Sequence, residues 1–343
     1  MNSEWQRFLE RSGARFLEGE RVESFGDTKA ELEAARSGNV VSPLSHLSIL
    51  GFTGADAETF LHGQLSCDVR GLGPGRSTLG SYCSPKGRML ANFLLWSDGA
   101  GFEMVLSASV AAAIQKRLSM FVLRSKVRIS DDNDRVTLIG AAGAATPPAL
   151  SAFFSELPVV KYDVRHLPDL GSVVRLGEDR FLLAILAQQA PGVWASLARD
   201  LKAVGTPCWE WLDIRHGIPW ITAATQEQLV PQMANLELLG GVSFSKGCYP
   251  GQEVIARSHY LGQVKRRTFL VNSPEPPAEG DAIYSEEFGD QASGLIINAQ
   301  ESPDGGYDAL AVVQTSGREQ GSVRLKSPRG PEVRFLDMPY PVP

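Results

Sequence analysis

Residues Phe244 to Gly262 read F-S-K-G-C-Y-P-G-Q-E-V-I-A-R-S-H-Y-L-G. Cys248 is the candidate nucleophile or ligand, with Lys246 two residues before it and Gly247 and Gly251 on either side. Glycine lets the backbone adopt φ > 0 or approach a neighbour closely. Pro250 suits the first turn of a helix, where its missing N–H is not needed. Gln252 to Tyr260 then reads as that helix, with Val254, Ile255 and Tyr260 loosely on one face and Gly262 as its stop. A thiol just ahead of a helix N-terminus feels the positive end of the macrodipole. Lys246 adds to that field, and both favour thiolate, the nucleophilic and metal-binding form. The same residues also permit a buried, inert cysteine in a tight turn, since free cysteine is commonly buried.

The segment K-G-C-Y-P-G-Q-E (residues 246–253) resembles the K-G-C-Y-T-G-Q-E signature of the YgfZ family, with Pro250 in place of threonine. These folate-binding proteins are similar to the T protein of the glycine cleavage system and support iron–sulfur enzymes. Ile49 to Val69, I-L-G-F-T-G-A-D-A-E-T-F-L-H-G-Q-L-S-C-D-V, looks like the opening domain of the T protein family, as does L-R-S-K-V-R-I-S-D from Leu123 to Asp131. D-I-R-H-G-I-P, Asp213 to Pro219, is similar to that family's R-I-E-A-G-I-P. The likeness covers about residues 40–335, thinly over 132–205.

The resemblance implies an α+β fold: a three-domain ring of two antiparallel-sheet α+β modules and a C-terminal β-barrel, with folate in the central hole. The expected division is 1–131 with 205–262 as the first module, 132–204 as the second, and 263–343 as the barrel. The T protein's acidic pair falls on Ala91 and Asn92, and its pterin-binding glutamate falls on Arg215. Neither Ala91 nor Asn92 can act as a carboxylate base, so the departures argue against aminomethyl transfer.

A pterin needs an apolar slot and a few amide or carboxyl contacts, and its glutamate tail needs cations. Tyr249 is the candidate for stacking, Gly251 for close backbone approach, and Gln252, Glu253 and Asn92 for pterin contacts. Arg257, Lys265, Arg266, Arg267 and Arg215 are candidates for the tail. Cys248 can attack, accept a one-carbon unit, or lend one ligand to a partner's cluster. It cannot hold an iron–sulfur cluster alone, since that usually takes four thiolates. The expected cofactor is tetrahydrofolate or a one-carbon derivative, and the expected partners are iron–sulfur enzymes or their assembly proteins, including those that modify tRNA. The alternatives are a folate-dependent aminomethyl or methyl transferase and a folate-free interaction scaffold.

Composition bounds these readings. At 343 residues the chain is long enough for two or three domains. Its net charge of −6 does not favour nucleic acid, so a tRNA would have to bind through a local patch. Cys67, Cys83, Cys208 and Cys248 form no C-x-x-C, and the five histidines show no i, i+4 pairing, so no metal site is read. Low cysteine density and the absence of an apolar leader or a long apolar run point to the cytoplasm, away from membranes.

Local patterns complete the outline. Trp5, Phe8, Leu9 and Phe16 can form one apolar stripe, and Thr53 to Asp56 reads as a capping box. Segments 77–83, 88–97 and 101–106 read as strands, the middle one apolar on both faces. Residues 141–150 read as a linker, 71–75 as a turn and 218–241 as irregular. The β runs at 281–284, 293–299, 307–313, 322–325 and 333–335, separated by Gly- and Pro-rich turns, read as a small barrel or sandwich.

Overall fold

A computed structural model of the chain describes residues 2–17, 20–73, 75–260, 262, 264–320 and 323–343, without the side chains of Glu319 and Gln320. Pro74 in the expected turn, Leu261 in the quoted stretch and Ser322 at the start of an expected strand lie outside the described residues.

The chain forms the expected α+β fold with predominantly antiparallel sheets. A five-stranded sheet has the order Ser77–Cys83, Met89–Ser97, Gly101–Ser107, Leu47–Thr53, Arg128–Asp131. Every residue of Met89–Ser97 except Ser97 is buried, as its two apolar faces required. A six-stranded sheet has the order Val164–Leu167, Gly171–Arg175, Arg180–Leu186, Val136–Ala142, Val40–Pro43, Lys202–Ala203. Only its last pair is parallel. The closed C-terminal barrel runs Arg266–Ser273, Tyr307–Gln314, Gly294–Glu301, Ala282–Ser285, Val323–Leu325, Glu332–Phe335. It closes where Val271 pairs with Phe335. Period-two alternation sends Phe269, Val271, Ile283, Ile296, Ala309, Ala311 and Val313 into its core.

The chain divides into two compact units. One comprises residues 1–61, 69–78 and 94–209, and the other 62–68, 79–93 and 210–343. In the first, the helix Ser3–Arg11 buries Trp5 and Leu9 against Val173, Phe181 and Trp194. Asn2 caps this helix by accepting from the N–H groups of Glu4 and Trp5. Trp5 meets Trp194 edge-on, with ring centroids 5.6 Å apart. The second unit contains the barrel and the Cys248 segment.

Four local expectations are corrected. Thr53 to Asp56 is not a capping box, because the Asp56 carboxylate accepts from the Lys126 N–H at 2.7 Å and its own N–H donates to the Lys126 carbonyl. Residues 141–150 are not a linker. Val136–Ala142 is a fully buried strand, and Thr146–Leu150 is a short helix with prolines in its first turn. Small Ala and Gly side chains read as loop in isolation, but here they let a central strand be covered on both faces. Pro250 lies outside the helix it was expected to open. Gln252–Tyr260 is the helix, and Gly251 supplies the carbonyl that accepts from Ile255. Finally, Ile255 is the one fully buried apolar residue of that helix, while Val254 and Tyr260 are exposed.

Candidate functional site

The second unit brings three separate stretches together: 62–68, 79–93 and the segment around Cys248. Lys246 joins the first to the third. Its buried ammonium donates to the carbonyl oxygens of His62, of Leu65 at 2.6 Å and of Cys67 at 2.9 Å. The amino group expected to stand beside the thiol is thus directed into these carbonyls, which compensate its burial. It acts as a positioning residue for the loop. The same ammonium lies 5.1 Å from the centre of the Tyr249 ring, within cation–π range.

Gly251 joins the second stretch to the third. Its φ is +81°, and a Cβ there would stand 2.6 Å from the Ser84 carbonyl oxygen and 2.7 Å from the Gly87 Cα. Only glycine fits both the left-handed backbone and the contact. Gly247 carries no such demand, since a Cβ there would find its nearest atom, His62 Nε2, at 3.9 Å.

The four cysteines separate cleanly by exposure. Cys67, Cys83 and Cys208 are buried and Cys248 is exposed. Burial pushes the Cys67 thiol up to about 12, with Lys246 partly offsetting it. Burial pushes Cys83 up to about 12 as well, against a hydrogen bond with Ser81. Cys208 is raised by burial and then by Glu31. Cys248 precedes the first helical residue by four positions, so the helix field reaches it from farther away than the sequence suggested.

The remaining sequence candidates fall as follows. Asn92 is 2% exposed, and its amide is spent on backbone: Nδ2 donates to the Pro219 carbonyl and Oδ1 accepts from the Ile221 N–H, both at 2.7 Å. Its placement is that of a buried amide tying the strand Met89–Ser97 to the irregular segment after Gly217. Tyr249 is 7% exposed, which turns the expected stacking ring into a wall. Its hydroxyl finds no hydrogen-bond partner among the described residues, nor does that of buried Ser84. Burial, then the Cys83 and Cys67 thiols, raise the Tyr249 phenol.

Gln252 Nε2 reaches the Lys246 carbonyl at 3.5 Å, while Glu253 and Arg257 project from the helix into solvent. Arg215 Nη1 lies 3.6 Å from Asp308 Oδ2. That carboxylate also accepts from Trp211 and Ser302, at 2.9 and 3.1 Å, and from Asn272 at 2.8 Å on its other oxygen. Arg267 is corrected as a tail contact, because it is buried in an ion pair with Glu237 and donates to the Gln232 carbonyl. Sequence reasoning missed residues 62–67 as the support of the Cys248 loop, because their contribution is backbone carbonyls, which no side-chain pattern announces.

Among the described residues no group of three or more His, Cys, Asp or Glu side chains could hold a metal ion, and no helix is long and apolar enough to cross a membrane. No protein-family model matches the chain. It is 30% identical over 302 residues to the tRNA-modifying protein YgfZ of Yersinia pseudotuberculosis serotype O:1b (strain IP 31758), spanning 87% of this chain and 91% of that one. It is 29% identical over 320 residues to the protein of the same name from Pectobacterium carotovorum subsp. carotovorum (strain PC1), spanning 91% and 94%. Its fold is similar to that of the glycine cleavage system aminomethyltransferase T from Bartonella henselae. The TM-score is 0.81 at 17% identity, covering 98% of this chain and 96% of the other.

Proposed function

The chain belongs to the YgfZ family, and from that premise we propose that it is a tetrahydrofolate-binding accessory protein of tRNA modification. In this reading it supports the assembly or repair of iron–sulfur enzymes, and Cys248 is its working thiol. The observation that carries the reading is the Cys248 loop. It presents the one exposed cysteine of the four, on a backbone held by a buried ammonium and by a glycine contact that no other residue can make. A thiol held in the open on a fixed backbone is placed to react with a ligand or a partner.

The residues around the loop suit a folate. Tyr249 and Ser84 bring buried hydroxyls, Gln252 an amide and Glu253 a carboxylate, a set that matches the donor and acceptor edge of a pterin. Arg257 brings an exposed cation for the tail carboxylates. When bound, tetrahydrofolate supplies a carrier for a one-carbon unit. Cys248 would act beside it as nucleophile, acceptor or transient cluster ligand, and Lys246 and Gly251 would fix where it stands.

Aminomethyl transfer is the weaker reading, because Asn92 replaces a carboxylate and its amide is bonded to backbone on both sides. Calorimetric titration with tetrahydrofolate, run beside an assay for methylene-folate production from an aminomethylated lipoyl carrier, separates the readings. Binding without turnover is expected. Robust turnover would overturn the accessory role, and absent binding would overturn every folate-based reading.

A further inference from the structure

The helix Ala108–Val122 ends in a way that folding alone does not explain. Helices commonly stop on a left-handed glycine or asparagine. Here the capping position is Leu123, at φ 45° and ψ −105°. A bulky residue at positive φ is an outlier, and such strain gathers where function demands it. Nor does the side chain repay the strain by packing. Leu123 is 87% exposed, next to Met120 at 60% and Phe121 at 45%. Three large apolar groups within four residues thus stand in water at one helix end.

The charge around them is equally unusual. No acidic residue occurs between Glu103 and Asp131, and the interval carries Lys116, Arg117, Arg124, Lys126 and Arg128. None of the five has an ion-pair partner among the described residues. The nearby Asp56 carboxylate is bonded to the Lys126 backbone N–H at 2.7 Å. Lys116, Arg124, Lys126 and Arg128 are exposed and Arg117 is partly buried, so the apolar helix end is flanked along the chain by cations, on a chain whose net charge is −6.

We infer that this helix end is a docking surface for an acidic amphipathic segment of a partner protein, with apolar side chains set among aspartate and glutamate. Leu123, Met120 and Phe121 pack against the apolar face of that segment, and the cations meet its carboxylates. The sign of the field argues for an acidic partner. The cations of this segment attract such a partner against the net negative charge of the chain, so approach is steered toward it. The apolar tip argues for a protein over a nucleic acid, since polyphosphate backbones offer cations a partner but give aliphatic side chains no dry pocket. Exposed large apolar residues flanked by charges also suit the anchors and rim of an interface. The inference deepens the proposed function by naming where a client protein sits, and it rests on that reading only for the client's identity.

The test uses the full chain and two synthetic amphipathic peptides of one length. One carries leucine and phenylalanine among glutamates, and the other has glutamine at every glutamate. Fluorescence anisotropy is read at low and moderate salt, with bulk tRNA and phosphatidylglycerol vesicles as competing probes. The acidic peptide is expected to bind at least tenfold tighter than the glutamine peptide, to weaken with salt, and to lose at least tenfold on Phe121→Ser with Leu123→Ser. Leu123→Gly is expected to raise the urea midpoint by relieving the backbone while weakening the peptide. Equal binding by the double variant, or no binding of the acidic peptide, would overturn the inference. So would preferential binding of tRNA or vesicles that the double variant abolishes. None of these outcomes touches the tetrahydrofolate titration, so the two proposals fail separately.

Discussion

Lys246 donates to the backbone carbonyl of Cys67 at 2.9 Å, and this bond, with those to His62 and Leu65, makes a buried ammonium the clasp between two loops distant in sequence. Lys246→Met keeps the stem but leaves three carbonyls without their donor. A buried acceptor left unmade costs about 1–3 kcal/mol, and the methionine is freed from the desolvation of a charge, so a net loss of about 3 kcal/mol is expected. The urea midpoint should fall accordingly. Lys246→Arg should not rescue it, because a planar fork cannot satisfy a tripod of acceptors. An unchanged midpoint in Lys246→Met would show that the clasp carries no stability.

Gly251 and Gly247 should respond differently to the same substitution. Gly251→Ala forces a Cβ within 2.6 Å of the Ser84 carbonyl oxygen at positive φ, so a loss of about 2 kcal/mol or more is expected. Gly247→Ala meets nothing closer than 3.9 Å and should melt with the native protein. Thermal unfolding of the two variants reads the difference, and equal melting temperatures would contradict the geometry.

These two glycines also show what was legible from sequence. Gly251, the helix after it and the barrel strands beyond residue 280 follow from local rules, whereas Gly247 reads the same way in sequence and carries no such demand in the fold. Lys246 reads as a partner of the thiol, because nearness in sequence suggests nearness in space. Its true partners lie about 180 positions earlier and are backbone atoms. Asn92 was recognisable as a polar residue in an apolar strand, yet only the fold reveals that Pro219 and Ile221 consume its amide. The strand Val136–Ala142 escaped because a fully buried strand lacks alternation, and small residues at its end mimic a loop.

The buried thiols give the protein an alkaline weakness. Cys67 and Cys83 are both pushed up to about 12 by burial. Above the ordinary thiol value of about 8.5, the unfolded chain releases these protons while the folded chain keeps them. The unfolded state then binds fewer protons, so stability falls as pH rises, by about 1.4 kcal/mol per unit and thiol, until the folded value is reached. Below the ordinary value the contribution is flat. Urea unfolding at pH 7.5 and 10 should show a steeper loss in the native protein than in Cys67→Ala with Cys83→Ala. Parallel losses would contradict it.

Introducing an acid at Asn92 should harm the protein without creating a transferase. In Asn92→Asp the donor to Pro219 becomes an oxygen facing an oxygen, and a charge is buried, at a cost of about 2–4 kcal/mol. The damage should shrink as pH falls and the carboxyl is protonated, since a protonated acid can donate again. Urea titrations at pH 5 and 8 measure this, and a variant as stable as the native protein at pH 8 would contradict the assignment of the amide.

The central claim is that the exposed thiol of Cys248 is presented for use and not for folding. Cys248→Ser nearly keeps the volume, so about 1 kcal/mol or less of stability should be lost, while thiolate chemistry disappears. The direct measurement is complementation of a defect in an iron–sulfur tRNA-modifying enzyme by the folded Cys248→Ser protein, with mass-spectrometric alkylation rates for all four cysteines of the native chain. The account predicts fastest alkylation at Cys248 and failure of the serine variant to complement. Full complementation by that variant, with Cys248 labelling no faster than Cys67, Cys83 and Cys208, would contradict it.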